Sequence, residues 1–325
     1  MAASQETRET ETTRGTGDEE EHRNVVQRWA SGSMNNPNRT YRALFYIVAI
    51  SFLVTTLFPF YWLLMLALTP SAKLTDVGLL PNGFNPEAFL TVFTKVPFHV
   101  YMFNSIVIGL FTTALVLVIA SLAGYAFGRF EFPGRTPLML IFLAISYFPP
   151  AAFLLPLFRL FTANVTFFSL PGGTTVTSPM LFNGPGAMAL PYTALFLPLS
   201  IFILTTFYSQ IPDGLEDAAR VEGNSRLGAL FKIIMPLSAP GVATAGVLTF
   251  IAVYNEYFFA FLMTDGRAQN WSTIVWGLLS YQGRFETSYN LMAAASLLGV
   301  IPIAILVVVA QEKIVSGLTA GGLKE

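Results

Sequence analysis

The stretch that decides the fold lies at residues 96–128, VPFHVYMFNSIVIGLFTTALVLVIASLAGYAFG, which contains no Asp, Glu, Lys or Arg. About 20 apolar residues suffice to cross roughly 30 Å of hydrocarbon. This stretch therefore predicts a membrane-spanning helix. The whole chain of 325 residues has 11% charged and 54% hydrophobic residues and a mean hydropathy of +0.59. Because a soluble domain carries about 25% charged residues, the composition indicates an integral membrane protein.

Five further uncharged stretches follow the same rule. They cover residues 43–72, 136–158, 160–212, 233–255 and 287–311. We predict an all-α integral membrane fold with six transmembrane helices, near 43–68, 104–127, 137–159, 187–208, 240–263 and 289–310. Residues 160–186 are rich in Pro and Gly, which favours a loop with a re-entrant or interfacial piece over a seventh span.

Residues 1–42 differ from the rest, since they hold 13 of the 37 charges. We expect a disordered cytoplasmic tail there, followed by a permease-like membrane domain over 43–325. Lys and Arg divide 13 to 5 between the two sides if the N-terminus is inside, and 7 to 5 without the tail. This distribution predicts that both termini are cytoplasmic. A net charge of −1 and no Cys give no case for nucleic-acid binding or thiol chemistry.

The loop at 209–239, SQIPDGLEDAARVEGNSRLGALFKIIMPLSA, lies between two predicted spans. Asp213 and Glu216 form a capping-box pattern that predicts a short helix over 214–222, and Gly223 is suited to end it. Ser225 should cap a second short helix that Pro236 stops.

The first short helix is expected to place Leu215, Ala218, Ala219 and Glu222 on one face, where two alanines allow close approach by another surface. The pattern alone leaves two interpretations open. The loop is either a docking surface or an amphipathic helical hairpin that lies on the bilayer.

The same loop resembles the EAA motif of ABC importer permeases. The resemblance rests on Asp217-Ala218-Ala219, Gly223, Ile233 and Met235-Pro236 at the family spacing, with Asp in place of Glu and Met in place of Leu. Glu216 precedes Asp217 and could substitute for it. The resemblance implies that these positions couple the permease to an ATPase: Glu216, Asp217, Ala218, Ala219, Gly223, Ile233 and Pro236.

Other segments resemble the carbohydrate-uptake branch, of the maltose and trehalose type. They are Asn104-Ser105, 125–135, Phe148-Pro149-Pro150, Asn255-Glu256 and 317–322. The resemblance covers about residues 43–325 and is weaker over 160–190. It implies a type I importer permease in the bacterial inner membrane, passing a sugar, expected to be a di- or oligosaccharide. The implied partners are a second homologous permease, two ATPase subunits and an extracytoplasmic sugar-binding protein.

The chain shows no P-loop, since Leu323 separates the glycines of 317–322 from Lys324 and no Ser or Thr follows. It also shows no spacing typical of a metal site or of a catalytic triad. We therefore expect no enzyme activity and no cofactor in this chain, with ATP and Mg on the partner ATPase.

Glu256 is a carboxylate within an otherwise apolar predicted span, so it should face the bundle interior or a water-filled cavity. One interpretation places Tyr254, Asn255, Glu256 and Tyr257 along the sugar path, with a tyrosine ring stacked on the sugar. The other is a structural polar pair at the interface with the partner permease.

The last segment, from Gln311 to Glu325, contains Gly317, Gly321 and Gly322, which disfavour a helix. We expect a flexible cytoplasmic strip over 311–325 that contacts the ATPase subunits, as the family resemblance implies. The alternative is a frayed end with no role.

Three classes of function remain at this stage. The first is an ABC importer permease, the second a secondary transporter, and the third a membrane-embedded transferase. A secondary transporter would carry its own ion-coupling carboxylates, and a transferase would carry a cluster of acidic or His residues at one membrane face.

Overall fold

The computed structural model describes residues 37–322 except 77, 81, 172 and 284–286, with side chains described over 41–312. The chain divides into two units after Trp62. The helices are α1 (Pro37–Leu68), α2 (Ala88–Lys95), α3 (Phe98–Arg129), α4 (Arg135–Ser146), α5 (Leu154–Phe161), α6 (Gly186–Tyr208), α7 (Asp213–Val221), α8 (Arg226–Ala229), α9 (Met235–Leu237), α10 (Ala239–Tyr254), α11 (Phe258–Met263), α12 (Ile274–Leu279) and α13 (Tyr289–Gly322). The strands are β1 (Thr166–Ser169) and β2 (Thr175–Thr177).

Among the described residues, four helices are long and apolar enough to cross a membrane. They are Tyr41–Leu68, Phe98–Arg129, Gly186–Tyr208 and Tyr289–Glu312. Two bent pairs, at 85° and 83°, raise the number to six if each pair is one span. The predicted all-α membrane fold is confirmed, whereas six continuous spans are not.

The predicted third span is broken. α4 ends at Ser146, and the chain turns by 85° before Pro150–Phe161. Pro149 and Pro150 cause the break, because the residue before a proline is driven out of the helical region; Pro149 itself is extended, with ψ 123°. A continuous helix over 137–159 was therefore a wrong prediction.

The first helix begins at Pro37, so the last six residues of the predicted disordered tail are helical. Proline is well placed in a first helical turn, where its missing N–H has no intrahelical partner. The rest of the predicted tail, residues 1–36, lies outside the described residues.

α3 packs along α6 and α10 and forms the centre of the bundle. Glycine makes this approach possible, since a Cβ on Gly124 would lie 2.9 Å from Leu204 Cβ, and one on Gly128 would lie 3.2 Å from the Thr205 carbonyl oxygen. Ala120, one turn before Gly124, is fully buried. These three residues form the small-residue row that lets membrane helices approach closely.

The segment between α5 and α6 is a loop, as the prolines and glycines predict, and it contains no further span among its described residues. β1 and β2 form an antiparallel hairpin within it, with a register shift between Thr166 and Phe168. The Thr, Phe and Val residues of these strands favour extended backbone, a signal that the low charge of the segment obscured.

Residues 311–322 of the C-terminal segment are helical, so the predicted non-helical strip is wrong over that range; residues 323–325 lie outside the described residues. α13 continues through Gly317 to Gly322. Each glycine costs about 1 kcal/mol relative to Ala, but extending an existing helix requires no new nucleation. The Leu-Thr-Ala run separates Gly317 from the adjacent Gly321 and Gly322, which lie at the very end of the helix.

Candidate functional sites

The loop after α6 forms two short helices joined by a tight turn. α7 ends in a Schellman motif, in which Asn224 N donates to the Ala219 carbonyl at 3.0 Å and Gly223 N donates to the Arg220 carbonyl at 3.0 Å. Gly223 has φ +87°, and Ser225 Oγ accepts from Gly228 N at 3.1 Å to cap α8. The predictions that Gly223 ends the first short helix and that Ser225 caps the second are confirmed.

The capping box predicted at the start of α7 is wrong. Pro212 is the N-cap, and no side chain caps the helix. Both acidic residues turn instead toward Arg129, at the end of α3. Its Nη1 lies 2.9 Å from Asp213 Oδ1, and its Nε lies 3.0 Å from Glu216 Oε2. A guanidinium is a stronger partner for a carboxylate than a backbone amide is.

Glu216 is the buried acid of the loop. Its Oε1 accepts from the Tyr125 hydroxyl at 2.6 Å, while Oε2 accepts from Arg129. Arg129 Nη1 also donates to the Ile211 carbonyl at 2.6 Å. The side chains of Arg129 and Glu216 are 3% and 11% exposed. The two charged groups are therefore largely shielded from water and contact each other and their polar neighbours directly.

α7 has two distinct faces. Glu216 and Ala219 point inward and are buried, whereas Leu215, Asp217, Ala218 and Val221 are exposed. The expected shared face is therefore split, because Ala219 packs on the bundle while Leu215, Ala218 and Glu222 stay exposed. Asp217, the residue at the Glu position of the EAA motif, is on the outer face, with its Oδ1 3.8 Å from Arg220 Nη1.

The second half of the loop runs through Pro236. A π-helical turn over Leu230–Ile234 separates α8 from α9, and Met235 N donates to the Leu230 carbonyl. The chain bends by 83° between Leu237 and α10. The prediction that Pro236 stops the helix is wrong by one residue, since the turn comes after Leu237. Ile233 is half-buried in the π turn, and Pro236 is exposed.

The loop has the features of a surface that binds another protein. The loop offers an exposed row of apolar and small side chains on short helices whose other face is fixed to α3. Exposed large apolar residues continue along the loop: Leu215, Val221, Leu227 and Phe231. An apolar patch rimmed by polar groups is typical of an interaction surface.

The second candidate site lies where the predicted fifth span breaks. α10 ends at Tyr254 and α11 begins at Phe258, so a continuous helix over 240–263 was a wrong prediction. The Glu256 carboxylate accepts from Phe258 N at 2.7 Å, from Phe259 N at 3.1 Å and from Ala260 N at 3.4 Å. It thus satisfies N–H groups that a helix start leaves without intrahelical partners. A carboxylate is also favourable at the positive end of a helix dipole.

The neighbours of Glu256 have different environments. Tyr254 is 3% exposed, and its hydroxyl donates to the Gly299 carbonyl at 2.9 Å. Of the two tyrosines predicted as candidates for stacking on a sugar, Tyr254 has its ring packed in the core, which favours Tyr257. Asn255 is exposed, with Nδ2 bonded to the Ile251 carbonyl. Tyr257 is 42% exposed and packs against Phe261 at 5.3 Å between ring centroids.

Sequence reasoning missed the residues that hold the loop in place. Tyr125 and Arg129 are four residues apart at the end of α3, and that spacing puts both on one helix face. Asn224 joins the two short helices, since its Nδ2 donates to the Ala219 carbonyl and its Oδ1 accepts from Lys232 Nζ at 3.0 Å. The polar pair Tyr125 and Arg129 at the end of a predicted span was visible in the sequence. Its partner Glu216, 91 residues from Tyr125, could not be identified from the sequence.

Comparison with known proteins gives a consistent result. A family model described as "Binding-protein-dependent transport system inner membrane component" matches residues 117–318. The sulfoquinovosyl glycerol transport system permease protein SmoH of Agrobacterium fabrum is 37% identical over 87% of this chain and 94% of that protein. The trehalose/maltose transport system permease protein MalG of Thermococcus litoralis is 35% identical over 87% of this chain and 97% of that protein.

Two further matches extend this comparison. The trehalose transport system permease protein SugB of Mycobacterium tuberculosis is 33% identical over 82% of this chain and 92% of that protein. A chain in a crystal structure of a bacterial ABC transporter involved in the import of the acidic polysaccharide alginate matches with a TM-score of 0.65. That match has 19% identity and covers 86% of this chain and 98% of the other, so it supports the fold.

Proposed function

The chain belongs to the family of binding-protein-dependent transport system inner membrane components, and we propose that its loop over 209–239 is the surface through which an ATPase drives it. The family assignment makes the chain a permease subunit of an ABC importer. The relatives named above are permease proteins, in agreement with the expectation that this chain is not itself an enzyme. They favour the importer over a secondary transporter or a transferase.

The observation that carries the proposal is the two-faced helix α7. Its inner face is bonded to α3 through Glu216, and its outer face exposes Leu215, Asp217, Ala218 and Val221. A helix that only closed a loop on the bilayer would direct its apolar face to lipid and needs no buried ion pair with a span. The proposed ATPase contact is the outer face, with ATP and Mg bound by the ATPase chain.

We propose that the transported molecule is a di- or oligosaccharide or a related glycoside. The names of the relatives support this class, since they refer to trehalose, maltose and sulfoquinovosyl glycerol. In this chain the exposed side chains at the break after α10 suit a sugar path. Asn255 offers an amide and Tyr257 a partly exposed ring, whereas the oxygens of Glu256 are already engaged with backbone N–H groups.

The remaining subunits are also part of the proposal. They are a second homologous permease that supplies the other half of the path, two ATPase subunits, and an extracytoplasmic sugar-binding protein. Both termini are proposed to be cytoplasmic, and the end of α13, with Gly317, Gly321 and Gly322, to reach the ATPase assembly.

The experiment is uptake of labelled trehalose, maltose and sulfoquinovosyl glycerol by cells that express the complete system. A matched strain carries an ATPase subunit that cannot hydrolyse ATP. Sugar uptake that is present in the first strain and lost in the matched strain supports an ATP-driven importer. Uptake that persists without ATP hydrolysis but requires an ion gradient would contradict it.

A further inference from the structure

The cytoplasmic end of α3 and the start of α7 are joined by an unusual concentration of short polar contacts. Tyr125 and Arg129 are the two contributors from α3. They reach Glu216 through both of its carboxylate oxygens, and Arg129 also reaches the Ile211 carbonyl and Asp213. All of these acceptors lie in the first turn of α7 or just before it. The contacts therefore fix the beginning of the loop helix.

The burial of this cluster makes the contacts mutually dependent. Arg129 is 3% exposed and Glu216 is 11% exposed, so each charge relies on the other for compensation. Removing one partner leaves the other charged and desolvated, which is a strongly destabilising change. α3 and α7 therefore cannot rotate relative to each other without breaking the Arg129–Glu216 ion pair and leaving two buried charges unpaired.

A second attachment reaches the other short helix of the loop. The Arg226 guanidinium carbon lies 4.7 Å above the Phe130 ring, and Phe130 packs edge-on to Tyr125 at 5.1 Å. Cation–π contacts of this kind are attractive at such distances. The two short helices, one before and one after the Gly223 turn, thus both contact residues at or just after the end of α3.

We infer that Tyr125, Arg129 and Glu216 are positioning residues that make α7 and α3 one rigid piece, so that a push on the loop moves the second span directly. The inference rests on the proposed function, since it presumes that the outer face of α7 contacts an ATPase. It assigns Glu216 to the link inside the permease and leaves Asp217 on the outer face. The adjacent acids therefore have separate roles.

The test uses the complete complex and pairs of spin labels, which the absence of Cys from this chain permits. One label replaces the exposed Val221 on α7, and the other replaces the exposed Leu110 in α3. Leu110 is about 22 Å along the helix from Tyr125 at 1.5 Å per residue, a range suited to pulsed electron paramagnetic resonance. Distances are measured without nucleotide and after trapping with ATP and vanadate.

We expect one narrow distance between the labels at 221 and 110, the same without nucleotide and after trapping with ATP and vanadate. Glu216→Gln should produce a broader or state-dependent distance while the ATPase remains bound in the usual amount. Tyr125→Phe keeps the ion pair and should broaden the distance less. It serves as the test variant if Glu216→Gln does not assemble. Glu131→Gln removes a carboxylate from an exposed position at the same end of α3 and should leave the distance unchanged.

Failure of the inference and failure of the proposed function are distinguishable. A wild-type distance that shifts between the two states would show that α7 moves independently of α3, and would overturn the inference. Unaltered distances in both Glu216→Gln and Tyr125→Phe would also overturn it. Absence of the ATPase from the purified wild-type complex would instead refute the proposed function, and the inference with it.

Discussion

Replacing Gly223 should weaken ATPase binding by an amount set by the backbone alone. The residue has φ +87°, and a Cβ built on it meets nothing within 4 Å. The cost of a side chain is therefore conformational rather than steric, at about 1–2 kcal/mol for a left-handed L-residue. This cost corresponds to a factor of about 5–30 in the population of the turn.

The turn sets the angle between α7 and α8, so a partner that binds both helices must select the native turn. When only a fraction of the protein is competent to bind, the apparent affinity falls by that fraction. We expect Gly223→Ala to weaken ATPase binding by up to the factor given above. Gly223→Asn should weaken it less, since Asn tolerates φ > 0, and Gly223→Val more, since β-branched residues tolerate it least.

The assay is a titration of the ATPase subunit against the tagged permease pair in detergent. Gly214→Ala is the matched control, because a Cβ there also meets nothing within 4 Å and the backbone is helical. That change should strengthen α7 by about 1 kcal/mol and should not weaken binding. An affinity for Gly223→Val equal to that of the wild type would refute the reasoning.

Three further outcomes follow from the structure. Gly124→Leu should force apart α3 and α6, with a cost of about 1–3 kcal/mol seen as a lower unfolding temperature, while Gly186→Ala, with only an ordinary contact at 3.7 Å, should leave that temperature unchanged. Glu256→Leu should strand backbone N–H groups at the start of α11 and cost about 0.5–2 kcal/mol, whereas Glu256→Gln, which keeps an acceptor, should cost less; equal unfolding temperatures for the two variants would contradict the capping role. Deleting 317–325 should lower the amount of ATPase that copurifies with the permease, and an unchanged amount would show that the end of α13 has no part in assembly.

Much of the helical architecture was predictable from the sequence, because an uncharged apolar run in a membrane protein has few alternatives. The Gly223 turn and the Ser225 cap were also predictable, since each depends on residues within one or two helical turns. The breaks were harder to predict. Pro149 and Pro150 favour a helix break, but the uncharged apolar run over 136–158 fits a continuous span equally well.

The environment of each acid could not be derived from local patterns. Asp213 and Glu216 fit a capping box, yet a guanidinium from a helix 87 residues away competes better for Glu216 than the local amides do. Glu256 shows the opposite case. A carboxylate expected to face a cavity or a partner is bonded to backbone N–H groups two to four residues ahead, because the helix it was assigned to is interrupted.

The most direct test of the central claim is a cross-link from α7 to the ATPase. A single Cys replaces Val221, which is 89% exposed, and carries a photoreactive maleimide in the assembled complex. The same label at Met180, 66% exposed in the loop between α5 and α6, serves as the control. We predict that light joins the ATPase subunit to the label at 221 and not to the label at 180. No cross-link from 221, or an equal yield from 180, would contradict the assignment of this loop as the ATPase-contacting surface.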